Sequence, residues 1–430
     1  MIKIKKNISF LYFFLFAGAF NDILRIGTSK ITLFRILLPL AIIKILLCSR
    51  NVRKLYVIYI IIAVISLIQS AIFCFTNRVG ILFSFNRYCT GLFYYICIIT
   101  IIGSVMVIYE LSYKNFEKEF ERYIVFVGVC YLFVFMYIYH GGYDYSYRNF
   151  IINNPNDYGA MLAAVLPLFY FKAKKTKNYI YIVFILITIL YLVLNDCKLA
   201  LLGVVTQIFI IIYLEIRNKS MGYRKLLIIF SIFCVAFILF ILDKKNITFH
   251  GYTWRETVIN PVKAVINGDM YTQSNTSVSY RVNTFIASIK WMMKTKMLGI
   301  GIGNSGVLIR NILGEHTLYE SWMEKESISL HNAFLEIFIE FGFIAIIGVF
   351  VIVKKIIKIL KITKLKSYQI CFVTIVISSL LWLQGPSGIT TDYQIFAIFA
   401  FLLLNTSSKL LEDQDLADKY CIKTVLNEGK

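Results

Sequence analysis

The stretch ISLHNAFLEIFIEFGFIAIIG, residues 328–348, places three ionisable side chains in an otherwise apolar run. His331 stands near its start, and Glu336 and Glu340 lie four residues apart, so they share one face of a helix. Charge is costly inside a bilayer, so an ionisable residue in a membrane span is by default a functional candidate. An imidazole suits general acid–base catalysis near neutral pH. The alternative is packing, with the imidazole hydrogen-bonded at an interface and the glutamates paired with basic residues of neighbouring helices.

Three basic residues in other regions could bind a phosphate. Arg148 lies in YRNFIINNPNDYG, Lys198 in NDCKLALLG and Arg281 in SYRVNTF. The arginine guanidinium is a planar fork of donors that matches phosphate oxygens, whereas a lysine ammonium acts as a point charge. Taken singly, each is equally explained as an interfacial residue whose stem lies in the membrane and whose charge reaches water.

Other residues have positioning roles in this interpretation. The Asn-Pro-Asn turn predicts Asn156 or Asp157 as a helix cap, and Asn332 opens the run after His331. Two glycines of the LGIGIGN stretch, Gly301 and Gly303, let the backbone turn tightly and approach a partner closely.

The same residues exclude some chemistries. His331 has no second ligand four residues away or nearby, so we predict no metal site, and no cofactor motif is present. Glu336 and Glu340 are not a glycosidase pair, since nothing fixes a carboxylate opposite them.

Composition identifies the elements that must position these residues. Of the 430 residues, 59% are hydrophobic and only 16% are charged, against about 25% charged in soluble domains. Apolar runs of about 20 residues recur along the chain and predict transmembrane helices. The formal net charge of +21 comes from short basic clusters between these runs, which indicates membrane topology rather than nucleic-acid binding.

We predict an all-α polytopic membrane protein with about twelve transmembrane helices. The predicted spans lie near residues 8–20, 31–48, 55–75, 88–109, 123–140, 157–172, 178–194, 197–216, 225–242, 331–353, 368–384 and 390–406. Alternate connections carry 27 Lys and Arg residues, against six in the short connections on the other side. Because basic residues concentrate in cytoplasmic loops, both termini are predicted to be cytoplasmic.

The chain divides accordingly into residues 1–242 with nine spans, a long outer loop at 243–330, three spans at 331–406 and a cytoplasmic tail at 407–430. A loop of that length is usually functional or disordered. It contains a predicted helix over 281–297, and we expect the glycine-rich stretch after it to return the chain to the membrane. Arg148, Lys198, Arg281 and His331 then all fall on the outer side of the membrane.

These motifs together resemble the O-antigen polymerase and O-antigen ligase superfamily of bacterial polysaccharide assembly. The family pattern is His followed by Asn, Ser or Gln, nine residues, and Gly-x-x-(Gly/Thr/Tyr). It reads here as His331-Asn332, nine residues, and Gly342-Phe343-Ile344-Ala345, with alanine as a departure at the last position. The Arg148…Asn-Pro-Asn segment and the arginine followed by a glycine-rich return are also similar. Lys198 stands where the family usually has arginine.

The resemblance implies an inverting glycosyltransferase of the bacterial inner membrane that faces outward and needs no metal. Its donor would be a glycan on undecaprenyl pyrophosphate. The cations would stabilise the pyrophosphate leaving group, and His331, with Glu336 as the second candidate, would act as the base on the acceptor hydroxyl. A chain-length regulator and a flippase are the candidate protein partners.

Three functions remain open at this point. A polymerase would add the glycan to another lipid-linked repeat unit, and a ligase would add it to lipid A-core. A transporter or flippase of polysaccharide precursors is the alternative from another class. We favour the polymerase, although the sequence features named here do not distinguish it from the ligase. The transporter is disfavoured, since the halves of the chain show no inverted repeat and no paired broken helices at mid-membrane.

Overall fold

The structure is a computed structural model, and it describes residues 2–21, 24, 31–77, 80–140, 155–194, 197–218, 260–267, 277–313, 330, 332–362, 364–383 and 394–406. These residues form helices and no β-strand. In chain order the helices are α1 (Ile2–Ala19), α2 (Leu33–Cys48), α3 (Arg50–Asn77), α4 (Ile81–Leu111), α5 (Phe116–His140), α6 (Pro155–Thr176), α7 (Ile180–Leu194), α8 (Lys198–Arg217), α9 (Asn260–Asn267), α10 (Ser277–Lys294), α11 (Ser305–Leu313), α12 (Ala333–Phe341), α13 (Phe343–Leu360), α14 (Ser367–Trp382) and α15 (Gln394–Thr406).

The length and apolar composition of four helices allow each to cross a membrane: Arg50–Asn77, Leu82–Leu111, Phe116–Tyr137 and Leu199–Arg217. Four shorter apolar helices accompany them: Asn7–Ala19, Ile180–Leu194, Ser367–Trp382 and Gln394–Thr406. A helix satisfies its own backbone hydrogen bonds, as a segment in hydrocarbon requires. The helices also expose many large apolar side chains, which suits a surface covered by lipid. The part of the chain that the structure describes is therefore all-helical, with the helix lengths and the apolar surface that a membrane protein requires.

Close helix packing forms the centre of the bundle. Gly203 of α8 lies against Trp382 of α14, where an added Cβ would come within 2.8 Å of the indole ring. One helical turn along, the Gln207 side chain donates hydrogen bonds to the Ala163 carbonyl of α6 at 2.8 Å and to the Ser378 hydroxyl of α14 at 3.0 Å. Helices α6, α8 and α14 thus share one buried interior.

Polar contacts bring particular helix ends together. Lys172 and Lys175, near the end of α6, pair with Glu121 in α5 at 3.5 Å and 3.3 Å. Asn218, just after α8, exchanges two hydrogen bonds with the backbone of Leu365, just before α14. The starts of α5 and α14 and the ends of α6 and α8 therefore meet on one face, as the predicted up-and-down alternation requires. Charge asymmetry predicts this face to be cytoplasmic.

The helices of residues 277–341 have a hydrophobic core of their own. It contains Phe73 of α3, Ile300 and Leu330 from outside the helices, and buried side chains of α10, α11 and α12, namely Tyr280, Ala287, Met292, Val307, Leu308, Ile309, Leu335 and Ile339. Residues 277–313, the part of the predicted outer loop that contains α10 and α11, are therefore packed onto the membrane bundle through α3.

Two expectations from the sequence differ from the structure. The span predicted at 331–353 is two helices, because Gly342 interrupts it with φ of 58°. Helix α6 begins at Pro155, so Asn156 and Asp157 lie in its first turn and neither is the cap; proline is favoured in a first turn because its missing N–H is not needed there. The span predicted at 225–242 lies outside the described residues. The count of twelve spans and the four chain divisions remain predictions.

Candidate functional site

The predicted site residues differ in how much the structure says of them. His331 and Arg148 lie outside the described residues. Lys198 is the first residue of α8 and Asn156 lies in the first turn of α6, and for both the structure describes the backbone alone. The side chains of the remaining predicted site residues are described, and they lie on α10, on α12 or in the glycine-rich segment between α10 and α11.

That segment, residues 297–304, turns sharply at Gly299, Gly301 and Gly303, which have φ of 70°, 86° and 81°. L-amino acids with a side chain rarely adopt such angles. A Cβ on Gly301 would lie 2.0 Å from the Ser70 hydroxyl, and one on Gly303 would lie 2.2 Å from the Arg87 carbonyl. Both neighbours belong to membrane helices, α3 and α4. The glycines therefore let this segment pack directly on the two helices.

The glycine-rich segment also packs against the helix break at Gly342. The Ile300 and Gly301 N–H groups donate to the carbonyls of Ile339 and Glu340, each at 3.0 Å, and the Phe343 N–H donates to the Met297 carbonyl at 2.8 Å. A non-helical backbone at membrane depth is tolerated where protein satisfies its polar groups. The broken helix and the glycine-rich segment thus satisfy each other's backbone hydrogen bonds.

Polar side chains of α3 and α4 complete this arrangement. The buried Asn304 donates to the Ser70 hydroxyl at 2.9 Å and accepts from the Ser84 hydroxyl at 2.9 Å. Gln69 donates to the Leu298 carbonyl at 2.7 Å, and Ser66 accepts from the backbone of the segment.

These partners on α3 and α4 were not predicted from the sequence. The available signal was Ser66, Gln69 and Ser70 at helical spacing within an apolar run, a polar stripe that predicts a buried polar neighbour.

Arg281 lies near the start of α10, and its side chain is half-buried. Its neighbour Tyr280 is buried in the core of α10–α12. Burial raises the pKa of the Tyr280 hydroxyl above its ordinary value. That phenol is therefore protonated at neutral pH and cannot serve as a general base.

Asn332 has a defined structural role at the start of α12. Its side chain accepts a hydrogen bond from the Leu335 N–H at 3.1 Å and caps the helix. The next residue, Ala333, donates its N–H to the Leu383 carbonyl after α14 at 3.2 Å. The backbone next to His331 is therefore fixed both by its own cap and by the neighbouring helix.

The two glutamates of α12 differ in burial. Glu336 is half-buried, whereas Glu340 is 2% exposed and lies beneath the glycine-rich segment. In the part of the chain that the structure describes, no group of three or more His, Cys, Asp or Glu residues could hold a metal ion.

Comparison with known proteins identifies a family that part of this chain matches. Residues 181–350 match the family model described as O-antigen ligase. No curated protein and no solved structure matches this chain. The matched range contains Lys198, Arg281, the glycine-rich segment and the His331-Asn332 pair. The Arg148…Asn-Pro-Asn segment, on which the resemblance also rested, lies before it. Residues 181–350 therefore carry a domain of the O-antigen polymerase and O-antigen ligase superfamily.

Proposed function

We propose that this chain is a polysaccharide polymerase that joins O-antigen or capsule repeat units on the outer face of the bacterial inner membrane. It would be an inverting, metal-independent glycosyltransferase. The donor would be a glycan on undecaprenyl pyrophosphate, and the acceptor would be a sugar hydroxyl of a second lipid-linked repeat unit. The observation that carries the proposal is the family match over residues 181–350, which includes Lys198, Arg281 and the predicted base His331, while Arg148 lies before it.

The proposed reaction replaces a glycosyl–pyrophosphate bond with a glycosidic bond. The acceptor oxygen attacks the anomeric carbon of the donor from the face opposite the pyrophosphate. The bond between that carbon and the pyrophosphate oxygen breaks, and undecaprenyl pyrophosphate leaves with the bonding electrons. His331 takes the proton of the acceptor hydroxyl, with Glu336 as the alternative base. Negative charge grows on the pyrophosphate, and preorganised cations stabilise such charge strongly where water is excluded.

The cations in this proposal have distinct roles. Arg281 would bind the pyrophosphate through two parallel hydrogen bonds, assisted by Arg148, because a guanidinium fits two phosphate oxygens at once. Lys198 would add a point charge in place of the arginine usual in the family.

The packing of α10 against α12 supports the assignment. Helix α10 carries Arg281, and α12 begins one residue after Asn332 and two after His331. Both helices contribute to one hydrophobic core, and both meet the glycine-rich segment. Arg281 and the helix that begins two residues after the predicted base thus belong to a single packed unit.

Deletion of the gene in its host would test the proposal. Loss of a polymerase should leave single repeat units and no long chains. Loss of a ligase would instead leave long chains stranded on the lipid carrier, and that result would overturn the polymerase assignment in favour of the ligase.

An assay of the purified protein in liposomes distinguishes the two candidate enzymes from the transporter. In liposomes with lipid-linked repeat units alone, a polymerase should release undecaprenyl pyrophosphate and form longer lipid-linked glycans. A ligase would release the lipid only after lipid A-core is added. Movement of the substrate between leaflets with no release in either reaction would identify a transporter.

A further inference from the structure

Glu340 is a buried carboxylate with partners on two other segments. The Ser305 hydroxyl at the start of α11 donates to Oε1 at 2.8 Å, and the Tyr95 hydroxyl of α4 donates to Oε2 at 3.3 Å. The backbone carbonyl of Glu340 also accepts the Gly301 N–H. Burying an ionisable group is costly unless its hydrogen bonds are satisfied, and here both carboxylate oxygens have partners.

These contacts form a junction, which consists of Glu340, Ser305, Tyr95 and residues 297–304. Helix α10 ends just before the junction, and Arg281 lies about 20 Å from that end at 1.5 Å per residue. Asn332 lies about 12 Å from Glu340 by the same measure. Arg281 and Asn332 are thus both positioned by helices that meet at the junction. If α10 tilted by about 5° at the junction, Arg281 would move by about 1.7 Å. Misplacement of about 1 Å can cost about 10²-fold in rate.

We propose that Glu340 is a positioning residue: by bonding Ser305 and Tyr95 together, it holds α10 and α12 in the relative placement that glycosyl transfer requires. This inference rests on the proposed function. Glu340 does not touch the substrate, because it is almost fully covered by protein.

Alanine and glutamine separate loss of the junction from loss of the charge. Both carboxylate oxygens accept hydrogen bonds, whereas glutamine presents one oxygen and one N–H donor group. A hydroxyl accepts as well as donates, so Glu340→Gln can keep both Ser305 and Tyr95, and Glu340→Ala loses both. We expect turnover at saturating donor to fall about 10²-fold in Glu340→Ala, with a much smaller change in KM, and to stay within about 10-fold of the wild-type value in Glu340→Gln.

Glu215 provides a matched control. It is also a buried glutamate, 3% exposed, and it pairs with Lys174 near the far ends of α6 and α8. Glu215→Ala should lower the amount or thermal stability of the protein as Glu340→Ala does. Its turnover per folded molecule should stay at the wild-type value, because it lies outside the junction.

A distance measurement tests positioning without the reaction. Spin labels would replace the exposed residues Lys290 on α10 and Phe343 at the start of α13, and the distance between them would be measured in membranes. We expect a shifted or broadened distribution in Glu340→Ala and an unchanged one in Glu215→Ala.

The outcomes separate the two proposals. Wild-type turnover per folded Glu340→Ala molecule, or lost turnover with an unchanged distance distribution, would overturn the positioning role. If the wild-type protein processes no lipid-linked glycan, the proposed function fails. In that case the distance between the labels at positions 290 and 343 still shows whether Glu340 holds α10 in place relative to the helix break at Gly342.

Discussion

The backbone N–H of Ile302 donates a hydrogen bond of 2.6 Å to the hydroxyl of Ser66. Ser66 lies eleven residues before the end of α3, a distance of about 16 Å along the helix axis. The hydrocarbon core of a bilayer is about 30 Å thick, so the glycine-rich segment reaches well into the depth of α3. Residues predicted to form an outer loop therefore have an anchor among the membrane helices.

Substitution of Gly301 should test this anchor. The residue has φ of 86°, and an added Cβ would overlap Ser70 and the Ser66 carbonyl. A left-handed conformation costs a non-glycine residue about 1 to 2 kcal/mol, before the overlap is counted. Gly301→Ala should therefore lower the melting temperature of the detergent-solubilised protein and reduce its activity.

Gly348 is the control for that substitution. It lies in α13, and a Cβ there would meet nothing within 4 Å. Gly348→Ala should leave the melting temperature unchanged or raise it slightly, since alanine favours a helix. Equal melting temperatures for the two variants would contradict the close packing at Gly301.

Asn304 allows a test of the polar contacts alone. Its amide nitrogen donates to the Ser70 hydroxyl and to the Ile300 carbonyl. Asn304→Asp keeps the size but cannot donate, and it faces that carbonyl with a carboxylate. Leaving a buried polar group unpaired costs about 1 to 3 kcal/mol, so thermal unfolding should occur at lower temperature. The exposed Asn178 accepts from the Ile180 N–H, which aspartate can also do, and Asn178→Asp should be neutral.

The sequence was sufficient to predict the helical membrane class, which follows from recurrent apolar runs of about 20 residues, and the helix that carries Arg281, which follows from periodicity within one segment. It did not predict the break at Gly342. Residues 331–353 are apolar almost throughout, and the break depends on hydrogen bonds that the Ile300 and Gly301 N–H groups donate and the Met297 carbonyl accepts, some 40 residues earlier in the chain.

The roles of Glu336 and Glu340 could not be separated from the sequence for a related reason. Helical spacing places them on one face, but their burial depends on where the glycine-rich segment packs. A pairing between distant segments leaves only the weak signal of a polar stripe, as in Ser66, Gln69 and Ser70.

Topology offers a direct test of the outer face. In a variant without the nine native cysteines, a single cysteine at Ser274 should react with a membrane-impermeant reagent in intact cells. A cysteine at Lys358 should react only after the membrane is opened, since basic clusters stay in the cytoplasm. Labelling of Ser274 only after opening would reject both the orientation and the proposed location of the site.

Arg281 should be essential for glycan transfer because its guanidinium can form two parallel hydrogen bonds to the pyrophosphate. Arg281→Ala should abolish measurable transfer at a normal protein level, and Arg281→Lys should recover little, because a bidentate fork becomes a point charge. Lys198→Arg should be tolerated, since it introduces the residue usual in the family. Lys290, exposed on the same helix as Arg281, is the control, and Lys290→Ala should transfer glycan at the wild-type rate. Undiminished transfer by Arg281→Ala would remove this residue from the mechanism.

His331 is the proposed base, and two substitutions separate its possible roles. A general base contributes about 10²- to 10⁴-fold to a rate, so His331→Ala should bring polymer close to the detection limit while lipid-linked repeat units accumulate. A role in folding alone predicts less protein in the membrane with normal activity per molecule. Glutamine can hydrogen-bond a sugar hydroxyl but takes up no proton at neutral pH, so His331→Gln should be as impaired as His331→Ala. Substantial polymer from His331→Gln would mean that the residue only orients the acceptor, and Glu336, half-buried on the helix that begins two residues later, would then become the candidate base.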